Sequence, residues 1–380
     1  MQDTDTGRAD DRRMLAESVA DFARRATDMA RVRKWRGVAP GFDRGLWQEM
    51  AGLGWAGLLI PERFGGMGLG FGEMAEVCRG LARMLMPEPL VSCAVLAART
   101  LVHCGNEALG AELLPRIAAG ECIAALAWQE QAGELANRTP ATEAALRDGQ
   151  IVVNGAKRFV AGAAAADGFI VSARSGSGTV LVWVPATTPG FRVHLEPLAD
   201  GRFSGRLELA DAKLAQKHLL APAEIAQSAL DRAVNEATVM ASAELLGIMS
   251  RALEMTLDYL RTRVQFGRSI GSFQALQHRA VDLYVQEQLA SVALADAVNA
   301  IDEQPQDPLT VATVSRAKAR CSEAASLITR QAIQMHGAIG FTEDSDVGLY
   351  VKRALTLSAW LGNSSYHRRR YARLAPDDAE

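Results

Sequence analysis

One predicted bend of the chain gathers polar side chains that suit a phosphate-bearing ligand. Residues 259–284 read YLRTRVQFGRSIGSFQALQHRAVDLY, and their polar groups include Arg263, Gln265, Gln274, Gln277 and His278. A guanidinium offers a planar fork of donors and an amide both donates and accepts, so this set can hold a phosphate and neighbouring hydroxyls or ring edges. The alternative is a helix C-terminus whose dipole is stabilised by arginines, and this window alone favours neither.

Two helices must position that bend. Before it, apolar residues recur every three or four positions and would bury one stripe of a helix, namely Leu246, Met249, Leu253, Leu257 and Leu260. Gly267 and Gly271 then bracket a turn. Helical spacing restarts after the turn with Phe273, Leu276, Ala280, Leu283 and Tyr284. The sequence therefore predicts a helical hairpin.

The pattern RxQFGxxIxxFQxxQH in this hairpin resembles the signature of the flavin-dependent acyl-CoA dehydrogenases. The resemblance implies that Arg263, Phe266 and Gln274 contact FAD, often the FAD of a neighbouring subunit, with Gln265 beside them. It also implies an acyl-CoA substrate, electron-transfer flavoprotein or a similar electron acceptor, and a tetramer of identical or related chains. The expected setting is fatty acid or dicarboxylic acid metabolism.

Composition limits the other classes of function. The chain has 380 residues, 49% hydrophobic and 22% charged, and a net charge of −3, which argues against nucleic acid or an anionic membrane as the main partner. Its five cysteines form no CxxC pair, so neither a disulfide framework nor a metal site is expected. An N-terminus without an apolar h-region, and the lack of a long apolar run, lead us to expect a cytoplasmic protein.

The chain divides into three segments of different periodicity. Residues 1–120 show helical spacing, with predicted breaks at Pro87, Pro89 and Pro115. Residues 121–222 are rich in β-branched runs separated by turn signals, namely Asp148-Gly149, Asn154-Gly155, Pro189-Gly190 and Asp200-Gly201. Helical spacing returns over residues 223–380. We expect an α+β multidomain protein with an N-terminal helical domain and a middle β domain; the resemblance makes the latter a barrel or sandwich and the C-terminal domain a four-helix bundle.

The resemblance implies two further flavin contacts in the middle domain. Residues 128–134, WQEQAGE, keep only the outline of the family's TEP.AGSD-like loop, and residues 157–161, KRFVA, are similar to its K.WIT-like strand. The flavin ring would then lie against Phe159, Val160 and Ala161. Ala161 replaces the usual threonine, so one hydroxyl is lost, although backbone N–H groups can still serve the ring.

A third segment expected to contact FAD reads QMHGAIGFTE over residues 334–343 and is similar to the family's QxxGGxGYTxE motif. Gln334 would supply an amide, and Gly337 would let the backbone approach the FAD diphosphate or adenine end closely. Ala338 stands where a second glycine is usual. A lone glycine turn of this kind is also typical of a helix C-cap.

The usual catalytic base is missing. Dehydrogenation of an acyl thioester needs a base for the α-proton while a β-hydride passes to flavin N5, and a desolvated carboxylate is the expected base. By resemblance that Glu belongs at Leu361, in the segment AWLGNSSY, or at Ala237 on the helix before the hairpin. Glu236 would point about 100° away from Ala237 on a helix. Glu244 lies two turns on from Ala237 and is the candidate, with a structural role, paired with Arg251 or with backbone elsewhere, as the alternative.

The expected substrate contacts are also altered, since Asn235 and Thr238 occupy the positions of the Asp and Arg that meet CoA in the family. The pattern looks most like the small subunits of bacterial two-component acyl-CoA dehydrogenases, such as pimeloyl-CoA dehydrogenase. Three hypotheses therefore stay open. The first is a subunit of an FAD-dependent acyl-CoA dehydrogenase, and the second is a non-catalytic FAD-binding scaffold or regulator of the same fold. The third is a flavin monooxygenase of this fold.

Overall fold

The computed structural model describes residues 2–133, 135, 139–176 and 178–375, with side chains from residue 10 onward. The helices of this part of the chain are α1 Gln2–Ala26, α2 Met29–Trp35, α3 Arg44–Gly52, α4 Phe71–Arg83, α5 Ala98–Cys104, α6 Glu107–Ala118, α7 Ala223–Thr262, α8 Gln274–Glu303, α9 Pro308–His336, α10 Val347–Ala359 and α11 Ser364–Leu374. The strands are β1 Ala124–Ala127, β2 Glu143–Arg147, β3 Gln150–Ala161, β4 Gly168–Ser175, β5 Gly178–Pro185, β6 Phe191–Pro197, β7 Phe203–Ala215, β8 Leu219–Ala221, β9 Val264–Gln265 and β10 Arg268–Ser269. The predicted order of helices, sheet and helices is confirmed.

The chain forms two compact units. One contains residues 1–33, 71–86 and 238–380, and the other contains residues 34–70 and 87–237. The long helix α7 contributes residues to both units.

The middle domain is one mixed sheet of eight strands. Its order is β6-β7-β3-β2-β4-β5-β8, and β1 pairs in parallel with β4. Alternate side chains build its core, which includes Val153, Phe169, Val171, Val182 and Leu207. Because strand side chains point to opposite faces in turn, this register fixes which residues are buried.

Two turn predictions have different outcomes. Asp148 and Gly149, with φ of 49° and 74°, join β2 to β3 as predicted. The turn predicted at Asn154-Gly155 is wrong, because both residues lie inside β3, where the register against β7 shifts. Gly155 has a φ of 145°, and a Cβ there would lie 2.6 Å from the Cα of Thr142, so a glycine is required by a close approach rather than by a turn.

The helical break predicted at Pro115 is also wrong. Pro115 lies inside α6, which continues to Ala118. Tertiary packing therefore overrides the local preference of proline, since Leu113, Leu114 and Ile117 are buried on this helix.

In the helical unit, α9 packs against α8, α10 and α11, and α4 packs against α1 and α8. Helix α7 approaches α4 closely at Gly247, where a Cβ would lie 2.3 Å from the carbonyl oxygen of Arg79. The predicted stripe of α7 is buried at Leu246, Met249, Leu253 and Leu260, with Leu257 half-buried.

Replacing Phe169 by alanine should test the sheet core. Phe169 is fully buried and its ring centroid lies 5.0 Å from that of Phe191. Loss of the ring should lower the free energy of unfolding by about 3–5 kcal/mol, because the cavity cannot fully collapse. Urea unfolding measures the change, and the control is Leu146→Ala, an exposed leucine on β2 that should have little effect. Equal effects of the two changes would contradict this description of the core.

Candidate functional site

The predicted hairpin joins the end of α7 to the start of α8 through a short β-turn. Strands β9 and β10 pair antiparallel, Gln265 opposite Arg268, and Phe266 and Gly267 turn the chain with φ of 54° and 79°. The backbone N–H of Ile270 donates to the carbonyl of Arg263 at 2.8 Å and closes the loop. The sequence predicted the turn and both helices, but not the two-residue strands.

The predicted cofactor residues of this hairpin all lie at the protein surface. Arg263, Gln265 and Gln274 are exposed, and the ring of Phe266 is 91% exposed. Neighbouring Arg261 pairs with Asp258 at 3.0 Å. Among the side chains that the structure describes, no acidic group forms an ion pair with the Arg263 guanidinium. The hairpin thus presents a cation and amides outward.

Residues 334–336 of the predicted glycine motif end α9, and the glycine turn itself, Gly337–Phe341, follows in the same helical unit. His336 stacks on Tyr259 of α7, with ring centroids 4.4 Å apart, so the turn begins beside the helix that leads into the hairpin. Gly337 has a φ of 68°, and no atom lies within 4 Å of a Cβ built there. Gln334 and Ala338 are exposed, and Phe341 is 77% exposed.

A backbone hydrogen bond links the two segments of the middle domain that are predicted to contact the flavin. The backbone N–H of Arg158 donates to the carbonyl of Gln129 at 2.8 Å. Phe159 lies in a bulge of β3 against β7, with a φ of 58°, and is half-buried, whereas Val160 is buried opposite Gly205. Ala161 lies opposite Ser204. Glu134, the last residue of the first segment, is outside the described residues.

A buried ion pair fixes this arrangement. The ammonium of Lys157, which is fully buried, donates to Glu130 Oε1 at 2.6 Å and to Ser172 Oγ at 3.1 Å. The same carboxylate accepts from the backbone N–H groups of Ala141 and Thr142. Burial opposes ionisation of Glu130, but Lys157 and the two N–H donors outweigh it and lower the pKa to about 2. The sequence alone did not predict this ion pair, because two residues 27 positions apart have no local signature.

Leu361 occupies the position expected for the catalytic base and cannot take a proton. It is only 2% exposed, and its φ of 57° lies in the left-handed region, which costs an ordinary residue roughly 1–2 kcal/mol. Its carbonyl accepts from His367 Nε2 at 2.8 Å. The turn that carries position 361 is therefore held in one unusual conformation.

Glu244 lies on α7 in an ion pair, but its partner differs from the one weighed from the sequence. Arg353 of α10 donates to Glu244 Oε2 at 2.8 Å, and both side chains are largely buried. Arg251 instead pairs with Glu254 at 3.4 Å. Glu244 and Arg353 are 109 positions apart, so no local pattern could reveal the pair.

Glu236, next to Ala237 in the sequence, is the second carboxylate near an expected base position, and it is also paired. Arg99 of α5 binds both of its oxygens at 2.9 and 3.0 Å, and His103 Nε2 donates to Oε1 at 2.8 Å. Burial opposes the charge of Glu236, but the His103 and Arg99 hydrogen bonds lower its pKa overall. Burial lowers the pKa of His103, so the ring is neutral at pH 7 and serves as a donor.

The expected substrate residues lie on the same helix. Asn235 is half-buried and Thr238 is fully buried. No group of three or more His, Cys, Asp or Glu that could hold a metal ion occurs in the described part of the chain. None of the helices described there is long and apolar enough to cross a membrane.

A helical domain, a mixed-sheet domain and a second helical domain with an outward-facing Arg-Gln-Phe hairpin define an acyl-CoA dehydrogenase-like protein. Three domain signatures of that family match the chain: the N-terminal domain over residues 9–121, the middle domain over residues 125–211 and the C-terminal domain over residues 226–375. The chain belongs to the acyl-CoA dehydrogenase family, as its motifs predicted.

Several characterised proteins are similar over nearly the whole length. The acyl-CoA dehydrogenase IpdE2 of Mycobacterium tuberculosis is 31% identical over 346 residues, 91% of each chain. A chain of the ChsE4-ChsE5 complex from Mycobacterium tuberculosis is 27% identical, with a TM-score of 0.87 over 97% of this chain and 98% of that chain. A glutaryl-CoA dehydrogenase from Mycobacterium smegmatis in complex with FADH2 has a TM-score of 0.88 at 21% identity, over 97% and 95% of the two chains, and shares the fold. The predicted cofactor, FAD, is confirmed at the level of the family.

Acid titration should test the buried Lys157–Glu130 pair. Because the folded pKa of Glu130 is about 2, below its ordinary 4.5, its charge stabilises the fold fully above about pH 4.5 and progressively less as the pH falls towards 2. Glu130→Gln should lower the free energy of unfolding by about 1–3 kcal/mol near neutral pH, and the gap to the unmodified protein should narrow below pH 4.5. Glu143→Gln, an exposed carboxylate on β2, is the control. A gap that stays constant down to pH 2 would contradict the ion pair.

Proposed function

We propose that this chain is an FAD-dependent acyl-CoA dehydrogenase subunit that acts on a CoA thioester within a homo- or heterotetramer. The observation that carries the proposal is the outward-facing hairpin with Arg263, Phe266 and Gln274 exposed together. The proposal keeps the domain bounds 1–120, 121–222 and 223–380, a cytoplasmic location, and electron-transfer flavoprotein or a similar acceptor.

The exposed residues fit the groups of FAD. Arg263 would pair with a phosphate, Gln265, Gln274 and Gln334 would bond to polar edges, and Phe266 would cover a ring face. The open space at Gly337 and the exposure of Ala338 would let the backbone approach the cofactor. In the middle domain, Phe159, Val160 and Ala161 would line the flavin ring. When bound, FAD accepts the hydride from the β-carbon of the acyl group.

The second face of α8 supports the assembly. One face of this helix buries Leu283, Ala290, Leu294 and Ala297 within its own unit. The opposite face leaves Val281, Val285, Leu289 and Val292 exposed, four residues at helical spacing. A helix that is apolar on both faces is typical of a buried position, so we infer that a second acyl-CoA dehydrogenase chain, identical or related, covers this second face.

The proposal has two forms, a catalytic subunit and a non-catalytic subunit, and they differ in which chain supplies the base. Leu361 has no proton-accepting group, and the carboxylates of Glu244 and Glu236 are held in ion pairs with Arg353 and Arg99. For Glu244 to accept the α-proton of the thioester, its bond to Arg353 must loosen. Alternatively, the chain is a non-catalytic FAD-binding subunit or regulator, and a related partner supplies the base. The similar ChsE4-ChsE5 complex, whose name gives two different chains, favours this alternative.

Arg263→Ala should weaken FAD binding about ten- to a hundredfold, because a charge-assisted hydrogen bond is lost. Flavin content per chain after gel filtration, and the dissociation constant by fluorescence quenching, measure the effect. Arg261→Ala is the matched control, since it removes an exposed arginine two positions away that pairs with Asp258. Equal flavin binding by both variants would remove Arg263 from the site.

Glu244→Gln distinguishes the catalytic subunit from the scaffold. If Glu244 is the base, anaerobic bleaching of the bound flavin by acyl-CoA should slow by at least about a hundredfold in the variant. Arg353→Met should then alter the pH profile of bleaching, because it removes the partner of the carboxylate. Bleaching that is absent in the unmodified chain, and gained only with a related chain, supports the scaffold form instead.

Val285→Glu should disrupt the assembly through α8. A carboxylate buried without a partner at the interface is strongly unfavourable, so sedimentation should show smaller species. Leu146→Glu places the same charge on an exposed leucine of β2 and should leave the assembly intact. An unchanged mass for Val285→Glu would place the subunit contact elsewhere.

A further inference from the structure

A lysine with no exposed surface lies at the end of α10. Lys318 of α9 donates to the carbonyl oxygens of Leu357 at 2.9 Å, Ser358 at 3.3 Å and Gly362 at 3.1 Å, and its Nζ lies 3.2 Å from Ser322 Oγ. The last carbonyls of a helix have no partner inside the helix, so the N–H groups of Lys318 satisfy oxygens that burial would otherwise leave without a donor. All of these partners are neutral oxygens.

A second buried side chain reaches the same turn from the other side. His367 of α11 is 1% exposed, and its Nε2 lies 2.8 Å from the carbonyl oxygen of Leu361. This distance requires the proton on Nε2, and Nδ1 has no hydrogen-bond partner among the described groups. Burial lowers the pKa of His367 to about 3, with Lys318 adding to the effect, so the ring stays neutral.

Together these two residues bind the carbonyls of Leu357, Ser358, Leu361 and Gly362. The backbone of Leu361 lies in the left-handed region, which a leucine adopts only when its surroundings hold it there. Their donors converge on the turn from α9 and α11, two helices that pack against each other.

We propose that Lys318 and His367 are positioning residues that clamp the 357–362 turn, and so fix the backbone of position 361 in the orientation used at the reaction site. The reference to a reaction site rests on the proposed function. The clamp itself rests on the hydrogen bonds alone. It preserves the shape of the turn in a chain where position 361 has no carboxylate.

Hydrogen exchange of the full-length protein tests the clamp without any substrate. Lys318→Met removes the donors and leaves buried carbonyls without partners, so the amides of residues 357–366 should exchange about tenfold faster or more, while the sheet core around Phe169 keeps its protection. The control is Lys352→Met, which removes a half-buried lysine of α10 that pairs with Glu343. Unchanged exchange in the turn would overturn the clamp.

The pH dependence of protection is a second readout. Burial lowers the pKa of Lys318 to about 7, below its value in an opened turn, so proton loss favours the closed turn and protection factors should rise as the pH increases through 7. Cys321 and His367 also lie near this turn, and with pKa values of about 12 and about 3 they keep their protonation state from pH 6 to 9. Lys318→Met should give a flat profile. A rise that persists in this variant would contradict the proposal.

His367→Phe keeps the proposal testable if Lys318→Met does not fold. It removes the donor to Leu361 and keeps an aromatic ring, so faster exchange should be confined to the turn, and unchanged exchange there would overturn the role of His367. His194→Phe on exposed β6 is the control. Flavin content measured on the same samples separates the hypotheses: a loosened turn in a protein that never binds FAD supports the clamp and contradicts the proposed function.

Discussion

The proposed assembly depends on one physical constraint, which is that the second apolar face of α8 is more stable when it is removed from water. Valines and leucines at four helical positions, and the rings of Phe266 and Phe341, gain free energy only when a surface covers them, about 25 cal/mol for each Å² of apolar area buried. The same helix begins at Gln274, and the hairpin with Arg263 directly precedes it. The second chain that we propose on α8 would therefore lie next to the hairpin, and its association would be coupled to the proposed cofactor site.

Three carboxylates of this protein are largely buried and paired with a basic side chain. Glu130 with Lys157, Glu244 with Arg353, and Glu236 with Arg99 each satisfy a charge that burial would otherwise make costly. Burial opposes the charges of Glu130 and Glu236, but their hydrogen-bond donors lower the pKa of both carboxylates overall. These pairs join elements distant in sequence, whereas the 357–362 turn carries a leucine at position 361, with its backbone in the left-handed region.

Much of the architecture could be predicted, because it depends on periodicity that is local in sequence. The stripe from Leu246 to Leu260 and the motif around Arg263 predicted helix, turn and helix correctly, and the shift at residue 121 predicted the sheet. Local preferences failed at Asn154-Gly155 and Pro115, where the neighbouring strand and helix decide the conformation. The partners of Glu244 and Lys157, and the carbonyl partners of Lys318, could not be predicted, since these contacts span 15 to 109 positions and have no local signature.

Native mass spectrometry of the purified protein, with or without a related partner chain, tests the central claim that FAD is held across a contact between two chains. The account predicts that FAD appears only in species of two or more chains, and that dissociation to single chains releases it. A single chain that retains FAD in full would contradict it.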